Sequence, residues 1–342
     1  MAKVACFLPQ ELFERSKVEI IPGWDFIFAK NQGEIEIIEA CKRADFLLVT
    51  AANPPVTARV IKNINSVCLL QVFGAGFDKI DIEAAREVNL PVANTPGQNA
   101  TTVAEFTIGV LVALQRKILI GNREVKAGNF REIERKLIQT GLKEIRGSKI
   151  GLLGLGAIGR LVAKLASLMG AEVCYYDPYR VDRDMEKELK ITYCSFEELL
   201  KNSEVISIHA PLNKNTRGLI SKEEIALMQP GTLLINTARG EIVDQLALAE
   251  ALESGHLGGA AVDHFAPDPP PADHPLLNLS IEANDRLIVT SHIAGVTAGS
   301  FARMLKEAVQ NLQRVAAGEN PRYVVNGISQ ARFTDRKITK SK

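Results

Sequence analysis

The stretch from 149 to 160 constrains the fold of this chain more than any other. It reads KIGLLGLGAIGR, in which a short apolar run leads into Gly154, Gly156 and Gly159 and then into apolar residues at helical spacing. That order predicts a strand, a tight turn and a helix. The glycines would permit the turn, let a ligand approach the backbone and let the helix pack closely on the strand. The helix N-terminus would then offer free N–H groups to an anion such as a pyrophosphate.

An acidic residue after the next strand strengthens this interpretation. The predicted strand 172–176 ends at Asp177, about 20 residues after the glycines, where a dinucleotide fold places a carboxylate for the ribose hydroxyls. The alternative is a glycine-rich turn in some other α/β protein. Because the strand, the helix and the acidic residue follow one another at the expected spacing, the pattern favours a dinucleotide-binding site.

Length and composition describe an ordinary globular chain. Its 342 residues suffice for two domains, and 46% hydrophobic residues with a net charge of +1 are typical of soluble proteins. The balanced charge offers no basic surface for nucleic acid or for acidic membranes. Because the sequence contains no signal peptide and no apolar run approaching ~20 residues, we expect a cytoplasmic protein without a membrane span.

The five cysteines are scattered along the chain and form no C-x-x-C pair. Several lie in apolar runs, so we expect buried free thiols in a reducing compartment. Metal-ligand spacing is also absent, and we therefore predict no metal site.

Alternating apolar and polar stretches predict a first small α/β domain. Turn residues mark a loop at 51–55 and a domain boundary at 94–97. One long apolar helix is expected from 101 to 128. The other predicted elements are strands at 3–8, 46–50, 68–73 and 91–94 and helices at 33–43, 59–64 and 82–87.

The second domain is predicted to be a six-stranded doubly wound sheet. Ser195 and Glu198 have capping-box spacing. A last helix, 300–317, is expected to return to the first domain, so that the domains are 1–98 plus 296–342 and 99–295. The other predicted elements are strands at 150–153, 173–176, 205–209, 232–236, 257–262 and 287–291 and helices at 157–169, 195–202, 222–227 and 243–254.

Chemically useful side chains follow three of these strands. Arg239 comes just after one strand, where a guanidinium can grip a carboxylate through two parallel hydrogen bonds. His292 follows another, and histidine is the usual proton donor or acceptor near neutral pH. Asp263 and Asp268 follow a third. An isolated arginine is usually a surface charge and a lone histidine is usually structural, so their joint placement at the carboxyl ends of one sheet carries the hypothesis.

Together these motifs resemble the D-isomer-specific 2-hydroxyacid dehydrogenase family over nearly the whole chain. The resemblance implies two Rossmann-like doubly wound α/β domains: a flavodoxin-like substrate domain built from both chain ends and a central NAD-binding domain, with catalysis in the cleft. It rests on seven stretches in the family's order: FGAGFDKID (73–81), TVAE (102–105), GLGAIG (154–159), HAPL (209–212), NTARG (236–240), AAVD (260–263) and HIAG (292–295).

By position, Arg239 resembles the family's clamp for the substrate carboxylate, and His292 resembles its general acid/base. Asp268 stands where the family usually has a glutamate that keeps the histidine in its imidazolium form. The aspartate has about 1.5 Å less reach, so either the backbone approaches more closely or the coupling is weaker. His264 occupies a position that is more often apolar in the family. A surface substitution and competition for a carboxylate both remain open there.

The resemblance also implies NAD as the cofactor. Asp177 matches the ribose ligand and favours NAD over NADP, because a carboxylate repels a 2′-phosphate, although nearby Arg180 would offset part of that repulsion. Ala75 and Gly76 match the loop whose N–H groups meet the substrate carboxylate. The other predicted cofactor contacts are Val103, Gly154, Gly156, Ala157, Ile158, Pro178, His209, Ala210, Pro211, Thr216, Thr237, Ala238 and Asp263, of which Asp263 matches the holder of the nicotinamide amide.

The function predicted in this way is the NAD-dependent interconversion of a small D-2-hydroxy acid and its 2-oxo acid, by a homodimer joined through the apolar helix 103–120. Some relatives that act on phosphorylated substrates carry arginine where this chain has 71–73 (QVF), which argues against a 3-phosphoglycerate-type dehydrogenase. Formate or phosphite oxidation would not need an acid that protonates a ketone. A NAD(H)-sensing, corepressor-like protein would bind NADH with negligible turnover, and nothing in the sequence excludes it.

Overall fold

A computed structural model describes residues 2–29, 33–50 and 54–332 of the chain. The chain divides into two compact units. The first consists of Met1–Asn99 with Val296–Lys342, and the second of Ala100–Gly295. Each unit is built on its own parallel sheet with helices, which confirms the predicted α/β fold class. Among the described residues, no helix combines the length and the apolarity needed to cross a membrane.

The first unit contains a five-stranded parallel sheet in the order β2-β1-β3-β4-β5, the flavodoxin-like arrangement. Its strands are β1 (Lys3–Cys6), β2 (Asp25–Phe28), β3 (Phe46–Thr50), β4 (Leu69–Phe73) and β5 (Val92–Ala93). Its helices are α1 (Gln10–Ser16), α2 (Glu34–Cys41), α3 (Ala58–Lys62), α4 (Ile82–Glu87) and, from the end of the chain, α14 (Ala298–Ala316).

Both faces of this sheet are buried, because successive side chains of a strand point to opposite faces. Along β3, Leu47 and Val49 join the cluster that packs under α2 and α3. Phe46 and Leu48 join the opposite cluster, to which α14 contributes Leu305 and other apolar residues. The near-continuous apolar run of β3 is typical of a parallel strand covered on both sides.

The sequence missed two elements of this unit. Helix α1 follows Pro9 without a side-chain cap and so carries a weak local signal. Strand β2 is a short edge strand whose apolar run, DFIF, was overlooked. The predicted strands 3–8 and 91–94 were also too long, because β1 ends at Cys6 and β5 consists of only two residues. Of the predicted loop 51–55, residues 51–53 lie outside the described part of the chain.

The second unit contains a seven-stranded parallel sheet in the order β12-β11-β10-β9-β6-β7-β8. Its strands are β6 (Lys149–Leu153), β7 (Glu172–Tyr176), β8 (Ile191–Tyr193), β9 (Val205–Ile208), β10 (Leu233–Asn236), β11 (Gly259–Val262) and β12 (Leu287–Val289). Its helices are α5 (Ala100–Gln115), α6 (Ile118–Lys126), α7 (Phe130–Thr140), α8 (Ala157–Leu168), α9 (Arg183–Leu189), α10 (Phe196–Asn202), α11 (Lys222–Leu227), α12 (Gln245–Glu253) and α13 (Ile281–Asn284).

The strand order reverses between β6 and β9, which makes the carboxyl ends of these two strands a topological switch point. Parallel sheets of this kind bind their ligands in the crevice at such a point. The predicted capping box at the start of α10 is confirmed, because Ser195 and Glu198 each bond the other's backbone N–H. The predicted count of six strands was wrong, since the three-residue strand β8 adds a seventh.

The prediction of one helix from 101 to 128 was also wrong. Lys117 adopts a left-handed conformation (φ 51°) that no continuous α-helix tolerates, and it divides the segment into α5 and α6. The Lys117 ammonium donates a hydrogen bond to the Gly258 carbonyl oxygen at 3.2 Å, so a tertiary contact stabilises the break. Apolar spacing alone does not reveal such a break.

Candidate active site

The glycine turn after β6 has the geometry of an anion cradle. Gly154 has a φ of 97°, and a Cβ atom there would lie 2.8 Å from the Ala210 backbone nitrogen. A Cβ on Gly159 would collide with the Gly154 carbonyl oxygen, whereas one on Gly156 would meet nothing within 4 Å. Helix α8 begins at Ala157 with no side-chain cap. Open space at Gly156 therefore faces the unpaired N–H groups of a helix N-terminus, an arrangement that suits a pyrophosphate.

Asp177, the predicted ribose ligand, is held by this same turn. Its carboxylate accepts hydrogen bonds from the Leu155 N–H at 2.8 Å and from the Tyr179 N–H at 2.9 Å. Arg180 makes two bonds to Glu186, at 2.8 and 2.9 Å, which lower the pKa of that carboxyl. Its charge is therefore already paired, and the structure favours NAD more strongly than the sequence did.

The end of β9 contributes His209 and the loop that follows it. The His209 Nε2 atom lies 2.9 Å from the Ser207 hydroxyl, and burial lowers the pKa of the imidazole to about 4, so the ring is neutral. In the loop, the Thr216 hydroxyl donates to the Pro211 carbonyl oxygen at 2.6 Å and accepts from the Asn213 N–H at 2.8 Å. The predicted contact Thr216 thus closes its own loop, and its contact with a cofactor stays a prediction.

The end of β10 places Arg239. The buried Asn236 side chain accepts from the Ala238 N–H at 3.0 Å and donates to the Arg239 carbonyl oxygen at 2.8 Å, so it fixes the backbone at the arginine. Arg239 itself is half-buried and donates to the Ala238 carbonyl oxygen. Thr237 is buried, with its hydroxyl 3.3 Å from that of Thr107. Asn236 is a positioning residue that the sequence analysis overlooked, although it opens the NTARG motif.

Two close contacts bring the loop after β10 against the loop after β11. A Cβ on Gly240 would collide with the backbone of Phe265 and Ala266, so only glycine permits this approach. The buried Gln245 side chain then donates to the His264 carbonyl oxygen at 3.0 Å and accepts from the Ala266 N–H at 3.1 Å. Gln245, which the sequence analysis also missed, braces the segment that leads to Asp268.

The structure brings His292 and Asp268, the predicted acid/base pair, into direct contact. The His292 Nδ1 atom lies 3.0 Å from the Asp268 Oδ2 atom, so the shorter aspartate reaches the histidine at ordinary hydrogen-bond distance. The two side chains are 41% and 36% exposed, which leaves the pair open to a reactant. With Nδ1 engaged by the carboxylate, Nε2 is the ring nitrogen free for proton transfer.

Asp263 positions the loop that carries His292. Its carboxylate is 2% exposed and accepts hydrogen bonds from the Thr290 hydroxyl and from the N–H groups of Ile293 and Ala294 at 2.6 to 2.9 Å. Its backbone carbonyl accepts from the His292 N–H at 3.0 Å. His292 has a φ of 59°, a conformation that costs about 1–3 kcal/mol and persists only where its surroundings enforce it. The expected contact of Asp263 with a nicotinamide amide stays a prediction.

His264 is not a surface residue, which resolves one of the alternatives left by the sequence. It is 5% exposed, and its Nδ1 and Nε2 atoms lie 3.9 Å from Asp268 and from Asp263 respectively. Its ring centroid is 3.7 Å from that of His292. Burial, with the nearby charges of His292 and Arg239, lowers the pKa of His264 to about 2, so this imidazole is neutral.

The predicted substrate loop belongs to the first unit. It follows β4, where the Gly74 N–H donates to the Thr95 hydroxyl at 2.9 Å and the Asn94 amide donates to the Ala75 carbonyl oxygen at 2.6 Å. Ala75 and Gly76 are half-buried. Their role toward a substrate stays a prediction.

Within the second unit, the structure brings Arg239, Asp268 and His292 to one edge of the sheet, because they follow β10, β11 and β12. The same edge carries the glycine turn, Asp177 and His209. Of the other predicted cofactor contacts, Val103 is buried, Ile158, Ala210 and Ala238 are half-buried, and Ala157, Pro178 and Pro211 are exposed.

Comparison with known proteins adds four findings to this geometry. Residues 108–294 match the model of the D-isomer specific 2-hydroxyacid dehydrogenase NAD binding domain. The chain is 32% identical to a glyoxylate reductase of Korarchaeum cryptofilum, over 95% of this chain and 96% of that protein. It is 35% identical to a hydroxypyruvate reductase of Thermotoga maritima, over 81% and 86%. Among solved structures, an NAD-dependent formate dehydrogenase from Staphylococcus aureus in complex with NAD matches 93% of this chain and 96% of its own, with 30% identity and a TM-score of 0.80.

Proposed function

We propose that this chain, which belongs to the D-isomer specific 2-hydroxyacid dehydrogenase family, reduces a small unphosphorylated 2-oxo acid, of the size of glyoxylate or hydroxypyruvate, to the D-2-hydroxy acid. Family membership makes it an NAD-dependent oxidoreductase that interconverts 2-hydroxy and 2-oxo acids. The observation that carries the proposal is the 3.0 Å contact between His292 and Asp268 on the sheet edge that also presents Arg239.

The cofactor side fits NAD on the geometry of this chain. Open space at Gly156 beside the uncapped start of α8 suits the pyrophosphate. Asp177 suits the ribose hydroxyls, while Arg180 is committed to Glu186 and does not offer its charge to a 2′-phosphate. When bound, NADH supplies the hydride for the carbonyl carbon.

The chain's own residues supply binding and the proton. In the proposed mechanism, the Arg239 guanidinium pairs with the substrate carboxylate through parallel hydrogen bonds and thereby orients the adjacent carbonyl. His292 donates a proton from Nε2 to the carbonyl oxygen, and Asp268 stabilises the imidazolium form of its ring. Ala75 and Gly76 are the proposed backbone donors to the same carboxylate.

Residues 71–73 of the first unit offer little to a substrate phosphate. Gln71 is fully buried, its amide nitrogen 3.3 Å from the Ala93 carbonyl oxygen and its oxygen accepting from Asn311 at 2.7 Å. Val72 and Phe73 are buried and apolar. These contacts support an unphosphorylated acid over 3-phosphoglycerate. The intact His292–Asp268 pair supports the reduction of a 2-oxo acid. Formate oxidation and a purely sensory role are less well supported, because neither needs an acid that protonates a ketone.

We propose a homodimer joined through the segment 118–142, which begins with α6 and ends just after α7. Helix α6 has no buried residue, and six large apolar side chains of this region are 40% to 75% exposed: Ile118, Leu119, Val125, Phe130, Ile138 and Leu142. Exposed apolar residues concentrated in this way mark protein interfaces. Sedimentation of the wild type should give the mass of two chains. Ile138→Lys should lower that mass, whereas Leu168→Lys, a change at an equally exposed residue on α8, should leave it unchanged.

We also propose that the protein works in the cytoplasm. All five cysteines are free thiols, and burial raises the pKa of Cys6 and Cys41 to about 12, so these two are unreactive. Free thiols suit a reducing compartment. Cell fractionation with antibody detection would test the assignment, and recovery in the secreted fraction would contradict it.

The first experiment follows NADH absorbance with a panel of glyoxylate, hydroxypyruvate, pyruvate, 2-oxobutyrate and branched 2-oxo acids, with 3-phosphohydroxypyruvate included and NADPH run in parallel. We expect glyoxylate or hydroxypyruvate to give the highest kcat/KM, and NADH to be preferred over NADPH. Fastest turnover of the phosphorylated acid would overturn the substrate class. Tight NADH binding without turnover of any acid would overturn the reductase in favour of a sensor.

A further inference from the structure

Three side chains at the candidate active site are spaced as metal ligands. His264, Asp268 and His292 each offer one donor atom, and the three atoms lie within 4.8 Å of one another. Two of the separations, both measured from the Asp268 Oδ2 atom to a histidine Nδ1 atom, are 3.0 Å to His292 and 3.9 Å to His264. Two ligand atoms ~2.1 Å from a tetrahedral zinc ion lie ~3.4 Å apart, so side-chain movements of about 1 Å would bring all three donors onto one ion.

The donors are also suitably oriented. A metal binds imidazole through a ring nitrogen, and each of the two histidines turns its Nδ1 atom toward the Asp268 carboxylate. The Asp268 carboxylate and the His292 ring are partly exposed, so an ion has a path from solvent. No such site is visible in the sequence, because residues 264, 268 and 292 come together only through the packing of the loops after β11 and β12.

The charges around the cluster allow a divalent cation. Asp268 and the buried Asp263, whose Oδ2 atom is 3.9 Å from the His264 Nε2 atom, contribute two negative charges. Arg239 opposes them with one positive charge. Two imidazoles and a carboxylate suit Zn²⁺ and its neighbours Co²⁺ and Ni²⁺ rather than Mg²⁺ or Ca²⁺, which take mainly oxygen ligands.

We propose that His264, Asp268 and His292 form an inhibitory site for a zinc-type transition metal. The ion replaces the hydrogen bond between Asp268 and His292 with two coordination bonds, and the Nδ1 proton of an imidazolium His292 is released to solvent. The Nε2–H that remains belongs to a neutral, metal-bound ring and is a far weaker acid than an imidazolium, so the substrate carbonyl loses its effective proton donor. This inhibition rests on the proposed role of His292 as that donor, whereas the binding of the metal does not.

Binding is tested on the full chain without NADH or substrate. Calorimetric titration with Zn²⁺ should show one ion per chain, and Co²⁺ should produce the visible absorption of a site with nitrogen ligands and low coordination number. His264→Asn should weaken binding at least tenfold, whereas His264→Cys, which restores a ligand, should retain most of it. His256→Asn, on a histidine that lies outside the cluster, should match the wild type.

The outcomes separate the inference from the proposed function. Failure of the wild type to bind one Zn²⁺, or equal affinity in His264→Asn, would overturn the site even if the reductase is active. Binding that depends on His264 in a chain without reductase activity would uphold the site and overturn the function. In an active enzyme, Zn²⁺ should abolish NADH oxidation reversibly, with recovery on adding EDTA, and activity that survives full occupancy would refute the inhibition.

Discussion

Each sheet has a glycine turn after one of its strands, and the two turns differ in their position in the sheet and in the helix that follows. The turn at 154–156 follows β6 at the switch point of its sheet, and α8 begins at once with an open N-terminus. The turn at 74–76 follows β4, away from the reversal between β1 and β3, and α4 begins only at Ile82. The N–H of Gly74 is already taken by Thr95. A glycine turn therefore becomes a dinucleotide site only where the topology and a helix N-terminus support it.

The strand ends of the two units also differ in charge. Those of the second unit carry Asp177, Arg239, Asp263 and His292, and all five histidines of the chain lie in that unit. The turns after β4 and β5 carry the neutral residues 74–76 and 94–95. Both sheets are doubly wound, so the difference in chemistry between the two units comes from the side chains at the strand ends rather than from the fold.

The largest expected effect comes from removing the acid of the second unit. His292→Ala should lower kcat for 2-oxo acid reduction by about a thousandfold, within the range that general acid catalysis contributes. The affinity for NADH, measured by fluorescence titration, should stay within twofold of the wild type. His256→Ala serves as the matched control. If His292→Ala retained more than a tenth of the wild-type kcat, the proton donor would have to be another group.

The next prediction compares the two glycine turns through one substitution in each. Gly156→Ala places a methyl group in the open cradle, so it should raise the Kd for NADH at least tenfold, a loss of about 1.4 kcal/mol. The free energy of unfolding should hardly change, because nothing lies within 4 Å of that methyl group. Gly76→Ala should leave the Kd for NADH unchanged and raise only the KM for the 2-oxo acid. Equal losses of NADH affinity in both variants would remove the distinction between the turns.

A smaller effect tests the carboxylate beside His292. Asp268→Asn removes the charge that stabilises the imidazolium, so the protonated ring should persist only at more acidic pH. The optimum for 2-oxo acid reduction should therefore move to lower pH. Asp268→Glu, which restores the charge, should return the profile toward that of the wild type. An unchanged profile in Asp268→Asn would assign Asp268 a purely structural role.

The last prediction concerns acid stability, and it is specific to the second unit. Burial lowers the pKa of His209 from 6.5 to about 4, so the unfolded chain takes up this proton first as the pH falls. Above pH 6.5 the ring is neutral in both states, and between pH 6.5 and pH 4 the free energy of unfolding declines by about 3 kcal/mol. Chemical unfolding at pH 7 and pH 4.5 should show a smaller loss in His209→Asn than in the wild type. A loss of the same size in both proteins would mean that His209 does not contribute to the decline in stability between pH 7 and pH 4.5.

Local sequence was enough for elements whose signals are carried by neighbouring residues. The glycine turn at 154–159, the capping box of α10 and the apolar strand β3 appear where the sequence predicts them. Each depends on contacts between residues a few positions apart, or on burial that an apolar run reports directly. The apolar run of the edge strand β2 was overlooked. The break at Lys117 carries no local signal, because its ammonium bonds a carbonyl far along the chain.

By itself, the sequence determined the family, the α/β class and the use of NAD, and it predicted the residues for catalysis, because all of these depend on residue types in a fixed order. Only the tertiary structure decided how those residues are held. The brace of Gln245 on the loop before Asp268, the grip of Asp263 on the loop of His292, and the burial of His264 between two carboxylates all join residues from different strand ends. Parallel strands bring their carboxyl ends together in space although they are far apart in sequence, and no local pattern records those distances.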